Sequence, residues 1–258
     1  MSQLVYVYAI AAPRPDITLS GIGGQAVRWI REGDVQAAVS GVPEDEFGEE
    51  PLNAGLTDMQ WLGPRAIAHQ DVNQQLHEAA DALIPLSFGT VFRDDERVRA
   101  MLRAQASSLI ERLARVRGCS EWVVAVHRVA EPDTAGVERV RQLADEIAGA
   151  APGRAHLLRK RLAEVEREAA RQVEQEAVEH VLATLRPVAV DVFIEPLPTD
   201  TVERPLLRAS VLVARSDEGR FVGAVESLHT RWYQVLLTGP WPAYRFAGLI
   251  EEHAATAG

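Results

Sequence analysis

The sequence predicts an α+β protein of two domains: an N-terminal α+β domain over 1–117 and a C-terminal ferredoxin-like domain over 118–258. Three observations lead there. At 258 residues the chain is long for one domain and comfortable for two. From Glu121 onward the segments alternate as β-α-β-β-α-β, the split order of ferredoxin-like folds. The first helical part of that order is far longer than the pattern needs, so it reads as a long helical insertion, with the longest helix about 156–185.

In the N-terminal part, Leu4 to Ile10 alternates β-branched and aromatic residues and reads as a strand ended by Pro13 and Pro15. Ala26–Arg31 and Val35–Ser40 flank Gly33-Asp34 and read as a hairpin. The acidic stretch Val42–Gly55, with Pro43, Gly48 and Pro51, reads as a surface loop. From Trp61 to Leu83, Ile67, Ala68, Val72, Leu76, Ala79, Ala80 and Leu83 recur at helical spacing. Pro85 and Gly89 interrupt that pattern in LIPLSFGTVF. A second helix is expected from Asp94 to Arg117, stopped by Gly118.

In the C-terminal part, Glu121–Val129 is the first strand and Thr134–Ala150 a helix. The long helix from about His156 to Leu185 carries the stripe Leu158, Leu162, Val165, Ala169, Val173, Ala177, Val181 and Leu185. Strands follow at Val188–Ile194 and Leu206–Ala214, a helix from Asp217 to about Arg231, and a last strand at Tyr233–Leu237. The tail LTGPWPAYRFAG ends the C-terminal domain.

Composition narrows the function classes. The net charge is −10, which argues against nucleic acid, because phosphate binding rests on clustered Lys and Arg. The one basic cluster, Arg154 to Arg161, opens a helix dense in glutamate. No run approaches the roughly 18 apolar residues of a membrane span, and the N-terminus lacks the basic flank of a signal peptide. The expected location is therefore cytoplasmic. The single Cys119 supports no internal disulfide and reads as a small buried apolar residue.

No constellation of reactive residues stands out. His69 and His77 lie eight residues apart on one helix, too far for an i, i+4 metal pair, and read as solvated or capped histidines. The glycines Gly21, Gly23 and Gly24 lack phosphate-loop spacing and read as a turn. GxSxG, HExxH and DxDxDG motifs are absent from the sequence. The expectation is a protein with no catalytic, metal or cofactor-binding residues.

Several motifs together resemble the gas-vesicle F/L protein family: LIPLSFGTVF at Leu83–Phe92, HQDVN at His69–Asn73, GCSEWVV at Gly118–Val124, GRAHLLRKR at Gly153–Arg161, and above all Gly-Pro-Trp-Pro-x-Tyr-x-Phe in the tail. They run in order along nearly the whole chain, beginning with the N-terminal VYVYAI. Two positions depart from the family pattern. Ala243 stands where the tail usually has another proline, and Ser87 where a basic residue is common, which puts the partner surface near Ser87 in question.

The resemblance implies a two-domain α+β accessory protein of gas vesicle assembly, associated with gas vesicles. Its implied partners are the hydrophobic shell protein and other accessory proteins. The alternatives are a minor structural component of the vesicle and, from another class, a small-molecule enzyme or sensor on a ferredoxin-like fold. Candidate partner-binding residues are Leu86, Phe88 and Phe92 of the loop and Trp241, Tyr244 and Phe246 of the tail. Trp and Tyr are favoured at interfaces. The plainer reading of the tail is that its aromatics pack back and close the core.

Overall fold

A computed structural model of the chain describes residues 2–12, 16–197 and 204–248. Pro13 and Pro15, the expected end of the first strand, lie outside the described residues. The chain divides into two compact units: residues 1–121 together with the segment from Gly239 onward, and Trp122–Thr238. The tail therefore groups with the first unit.

In the first unit, β1 (Gln3–Ala11) pairs antiparallel with β3 (Val35–Pro43), which pairs with β2 (Arg28–Glu32) across the Gly33-Asp34 turn. Gly33 has φ +57, a conformation natural to glycine. The acidic stretch after β3 is helical, not a loop: α1 (Glu44–Phe47) and α2 (Glu49–Gly55). Three acidic side chains in the first turn of α1 favour its positive end, Pro51 falls in the first turn of α2 where its missing N–H is harmless, and Phe47 is buried.

α3 (Met59–Ala79) begins at Asp58, whose side chain accepts the Gln60 N–H at 2.9 Å. It buries Val72 and Leu76 against the sheet, but Ile67, expected in the same stripe, is 64% exposed. Ile67 precedes Val72 by five residues, about 140° around a helix, so the two do not share a face.

LIPLSFGTVF is more than an interruption. β4 (Leu83–Pro85) and β5 (Val91–Phe92) both pair antiparallel with β1, so the loop leaves the sheet and returns to the same strand. The expected helix from Asp94 to Arg117 breaks into α4 (Asp95–Ala104) and α5 (Ala106–Val116), because Gln105 leaves the helical region at φ −107, ψ 9. The break lets Val98 and Leu102 of α4 and Leu109, Leu113 and Val116 of α5 all be buried.

β6 (Cys119–Arg128) opens the strands of the second unit. α6 (Glu138–Ala148) starts later than expected, and α7 (Pro152–Leu185) earlier, since Pro152 occupies the first helical turn instead of blocking it. α6 packs along α7, and Val140, Leu143, Ala155 and Leu158 are buried. Every residue of the predicted α7 stripe is buried or half-buried.

β7 (Asp191–Ile194) and β8 (Leu207–Ala214) pair antiparallel; α8 (Glu218–Glu226) and β9 (Tyr233–Trp241) follow. The strand order is β7-β8-β6-β9. Alternate residues Trp122, Val124 and Val126, then Leu207, Ala209, Val211 and Val213, then Tyr233 and Val235 form one core with Val181 and Leu185 of α7 and Phe221 of α8. Pro240 sits on β9, an outer strand of this sheet, where a missing donor is tolerated. The fold is thus mixed α+β with two antiparallel sheets.

Candidate functional site

The polar groups of the first unit concentrate beneath α3. Register along β1 runs Val7↔Val39 and then Ala9↔Ala38, so Tyr8 is an extra residue in a bulge. Tyr6 and Tyr8, two residues apart, already share the core face toward α3, and the bulge brings Ala9 and Ala11 onto that face as well. The two rings lie 4.9 Å apart and share their surroundings with Phe47, Phe88 and His69.

Both hydroxyls are engaged. Tyr8 Oη accepts the Ile22 N–H at 2.8 Å and lies 2.8 Å from Ser40 Oγ. Tyr6 Oη accepts the Gly89 N–H at 3.0 Å and lies 2.9 Å from His69 Nδ1. Asn73, one turn on from His69, donates from Nδ2 to His69 Nε2 at 2.9 Å and to Tyr244 Oη at 3.2 Å. Tyr244 Oη in turn donates to Gln70 Oε1 at 2.9 Å. Buried Glu121 accepts the Arg245 N–H at 2.7 Å, and His77 Nε2 lies 3.1 Å from Ser120 Oγ.

His69 and His77 are each 4% exposed, which corrects the expectation of solvated helix histidines. Helical spacing alone could not decide this, because the tail and β1 close over α3 only in the folded chain. Burial lowers the pKa of His69 to about 4, opposed by a hydrogen bond to the Leu86 backbone. The two ring nitrogens are both engaged, Nε2 by the Asn73 amide and Nδ1 by Tyr6 Oη. Burial raises the Tyr6 and Tyr8 phenols, and it pushes Tyr244 up to about 12, where the Asn73 hydrogen bond opposes and the Glu121 charge adds. Around neutrality the three phenols keep their protons and the His69 ring is uncharged, so these groups meet as neutral hydrogen-bond partners.

The GIGGQ turn belongs to the same assembly. A Cβ on Gly21 would stand 2.3 Å from Tyr8 Oη. Gly21→Ala is therefore expected to destabilise the protein by about 1–3 kcal/mol. Tyr8→Phe in the same chain should recover part of that loss by removing the clashing oxygen; thermal unfolding of the two single variants and the double variant measures it.

The six candidate contact residues separate. Leu86 and Phe246 are core residues, so neither presents a surface to a partner. Phe88 is half-buried against Tyr6, Trp61 and His69, with ring centroids 6.0, 6.3 and 5.7 Å away. Tyr244 is half-buried in the network above, and Phe92 is half-buried on β5. Trp241 alone of the six is substantially exposed, at 37%. Cys119 is buried, with Sγ 3.4 Å from the Arg117 carbonyl. Among the described residues, no three His, Cys, Asp or Glu side chains are grouped so as to hold a metal ion, and no helix is long and apolar enough to cross a membrane.

Sequence reasoning passed over Tyr6, Tyr8, Asn73 and Glu121. The signal was present: Asn73 follows His69 by one helical turn on the apolar side of α3, and Tyr6 and Tyr8 sit in a strand of otherwise apolar residues. Tyr8 apart, whose partners are Ile22 and Ser40, these residues and their partners belong to the segments VYVYAI, HQDVN, LIPLSFGTVF, GCSEW and the PWPAYRF tail, which interlock here.

Residues 4–248 match the family described as gas vesicle synthesis protein GvpL/GvpF. The chain belongs to the GvpL/GvpF family. It is 34% identical to gas vesicle protein L of Streptomyces sp. (strain CB03234) over 265 residues, covering 97% of this chain and 95% of that protein. It is 31% identical to gas vesicle protein F of the same strain over 256 residues, covering 93% and 98%. Among solved structures, GvpF from Anabaena sp. PCC7120 superposes with a TM-score of 0.73 at 20% identity, covering 96% of this chain and 100% of that one. GvpF from Microcystis aeruginosa gives 0.68 at 19%, covering 95% and 99%. Both GvpF structures share the fold of this GvpL/GvpF chain from end to end.

Proposed function

We propose that this GvpL/GvpF protein is a non-enzymatic accessory factor of gas vesicle assembly. In this reading it works in the cytoplasm beside the growing vesicle and binds the hydrophobic shell protein, other accessory proteins, or both. The observation that carries the reading is the use made of the family's motif residues. Asn73 and Glu121 hold the tail through Tyr244 Oη and the Arg245 N–H, and His69 meets the Leu86 backbone of the Leu83–Phe92 loop. A motif set devoted to fixing a surface fits a binding protein. A shell subunit exposes apolar surface and strand edges before it packs, and a soluble acidic partner would keep such a complex dispersed.

The two-domain description belongs to the same proposal. The strand order β7-β8-β6-β9, with α6 and α7 before β7 and α8 before β9, supports a ferredoxin-like second domain.

Co-expression with the small shell protein, followed by affinity capture and size exclusion, tests the function. A soluble co-eluting complex is the expected result. A shell protein that still precipitates, with no vesicle accessory protein captured either, would overturn it.

A further inference from the structure

α3 carries one stripe that packing leaves uncovered. Met59 and Ile67 are 74% and 64% exposed, and Leu56 in the turn before the helix is exposed as well. Gly63 lies between them, and a Cβ there would meet nothing within 4 Å, so the stripe is low at its centre. Met59, Gly63 and Ile67 are four residues apart, and the same line continues as Asp71, Gln74 and Glu78. The face is apolar over its first half and acidic over its second.

A surface helix normally turns charge to solvent along its whole outer face. An apolar patch rimmed by polar groups marks an interaction site. The segment that carries the patch is of one sign: residues 42–81 contain nine acidic residues and one arginine, a net charge of −8 in a chain of −10. That arginine, Arg65, is already paired with Glu46 and lies over the Trp61 ring.

We propose that the Met59–Glu78 stripe of α3 is the docking face for a basic amphipathic helix of a partner protein. The partner's apolar residues seat on Met59, Gly63 and Ile67, and its Lys or Arg residues face Asp71 and Glu78, a helix laid along a helix by anchors at three- and four-residue spacing. The stripe is about 29 Å long, room for five turns of the partner. Charge selects this occupant. A second copy of the chain would bring two strongly acidic segments together, and like charges across an interface are costly; an anionic lipid surface is repelled for the same reason. The inference deepens the accessory-factor reading and rests on it for the partner being a vesicle protein.

The test uses the full chain and a labelled 18-residue helical peptide with leucines along one face and lysines toward one end. Fluorescence anisotropy reads binding, and circular dichroism checks that each variant is folded. Met59→Glu with Ile67→Glu adds two negative charges at exposed positions. Docking on the stripe predicts at least tenfold weaker binding, whereas diffuse attraction to an acidic protein predicts equal or tighter binding and would overturn the proposal. Asp71→Asn with Glu78→Gln should weaken binding severalfold and flatten its salt dependence. Self-association of the wild type that disappears in the Met59/Ile67 variant would overturn the proposal in favour of a second copy.

Co-expression separates this inference from the reading beneath it. A vesicle protein that co-purifies equally with the wild type and the Met59/Ile67 variant refutes the face and leaves the accessory role standing. Peptide binding that behaves as expected, in a chain that captures no vesicle protein, supports the face and removes the accessory role.

Discussion

Lowering the pH from 7 to 4 is expected to cost the folded protein about 3 kcal/mol through His69. The sign follows from the direction of the shift. In the unfolded chain the imidazole titrates near its ordinary value of about 6.5; in the folded chain burial holds it at about 4. Between those values the unfolded state binds the extra proton. The full stability is present above the unfolded pKa, falls as the pH drops through this window, and levels off below the folded pKa. The folded ring cannot relieve the demand, since its neighbours Tyr6, Asn73 and the Leu86 backbone are neutral and Nε2 faces an amide donor. Other groups also titrate in this range, so the measurement is a difference. Denaturant unfolding of the wild type and of His69→Gln, which keeps polar contacts but has no titrating ring, is compared at pH 7 and 4. The wild type should lose about 3 kcal/mol more than the variant. Equal losses would mean that His69 is not held neutral by its surroundings.

The second large effect lies in the tail, whose aromatic residues divide between two roles. Phe246 is 5% exposed, and Phe246→Ala should destabilise the protein by about 3–5 kcal/mol, the usual cost of emptying an aromatic core site. Tyr244→Phe keeps the ring but strips Gln70 and Asn73 of a partner, at about 1–2 kcal/mol. Trp241→Ala should cost less than Phe246→Ala, because 37% of Trp241 already meets solvent. Thermal unfolding ranks the three, and hydrogen exchange at the Tyr244 and Phe246 amides shows whether the tail has lifted. If Trp241→Ala destabilised as much as Phe246→Ala, the division would be wrong, and Trp241 would belong to the core. A variant that weakens partner capture at unchanged stability would make Trp241 part of the partner surface.

This ordering bears on how family motifs are read. A distinctive aromatic ending invites a role in binding, yet two of its three aromatics are held inside. The two exposed apolar side chains of α3, Met59 and Ile67, lie in residues that no motif marks. Motif distinctiveness reports constraint, and here the tightest constraint is geometric: a tyrosine hydroxyl, an amide and an imidazole must meet within hydrogen-bond distance in a space closed to water.

Local chemistry along the chain determined most elements of the fold. The alternation in VYVYAI, the Gly33-Asp34 turn, the α7 stripe and the order of strands after Glu121 each depend on a period or a turn residue, and all are present in the structure. The motifs were enough to indicate the family, because they are ordered residue by residue over nearly the whole length. Tertiary structure decided what periodicity cannot express. It turned the acidic stretch 42–55 into two short helices by giving Phe47 a core to enter, and it broke the helix at Gln105 so that both halves could bury their apolar faces. It also buried His69 and exposed Ile67, two residues apart on one helix. That reversal has a simple cause. Helical spacing states which residues share a face, but only the elements that pack against α3, β1 and the returning tail among them, determine which face is inside.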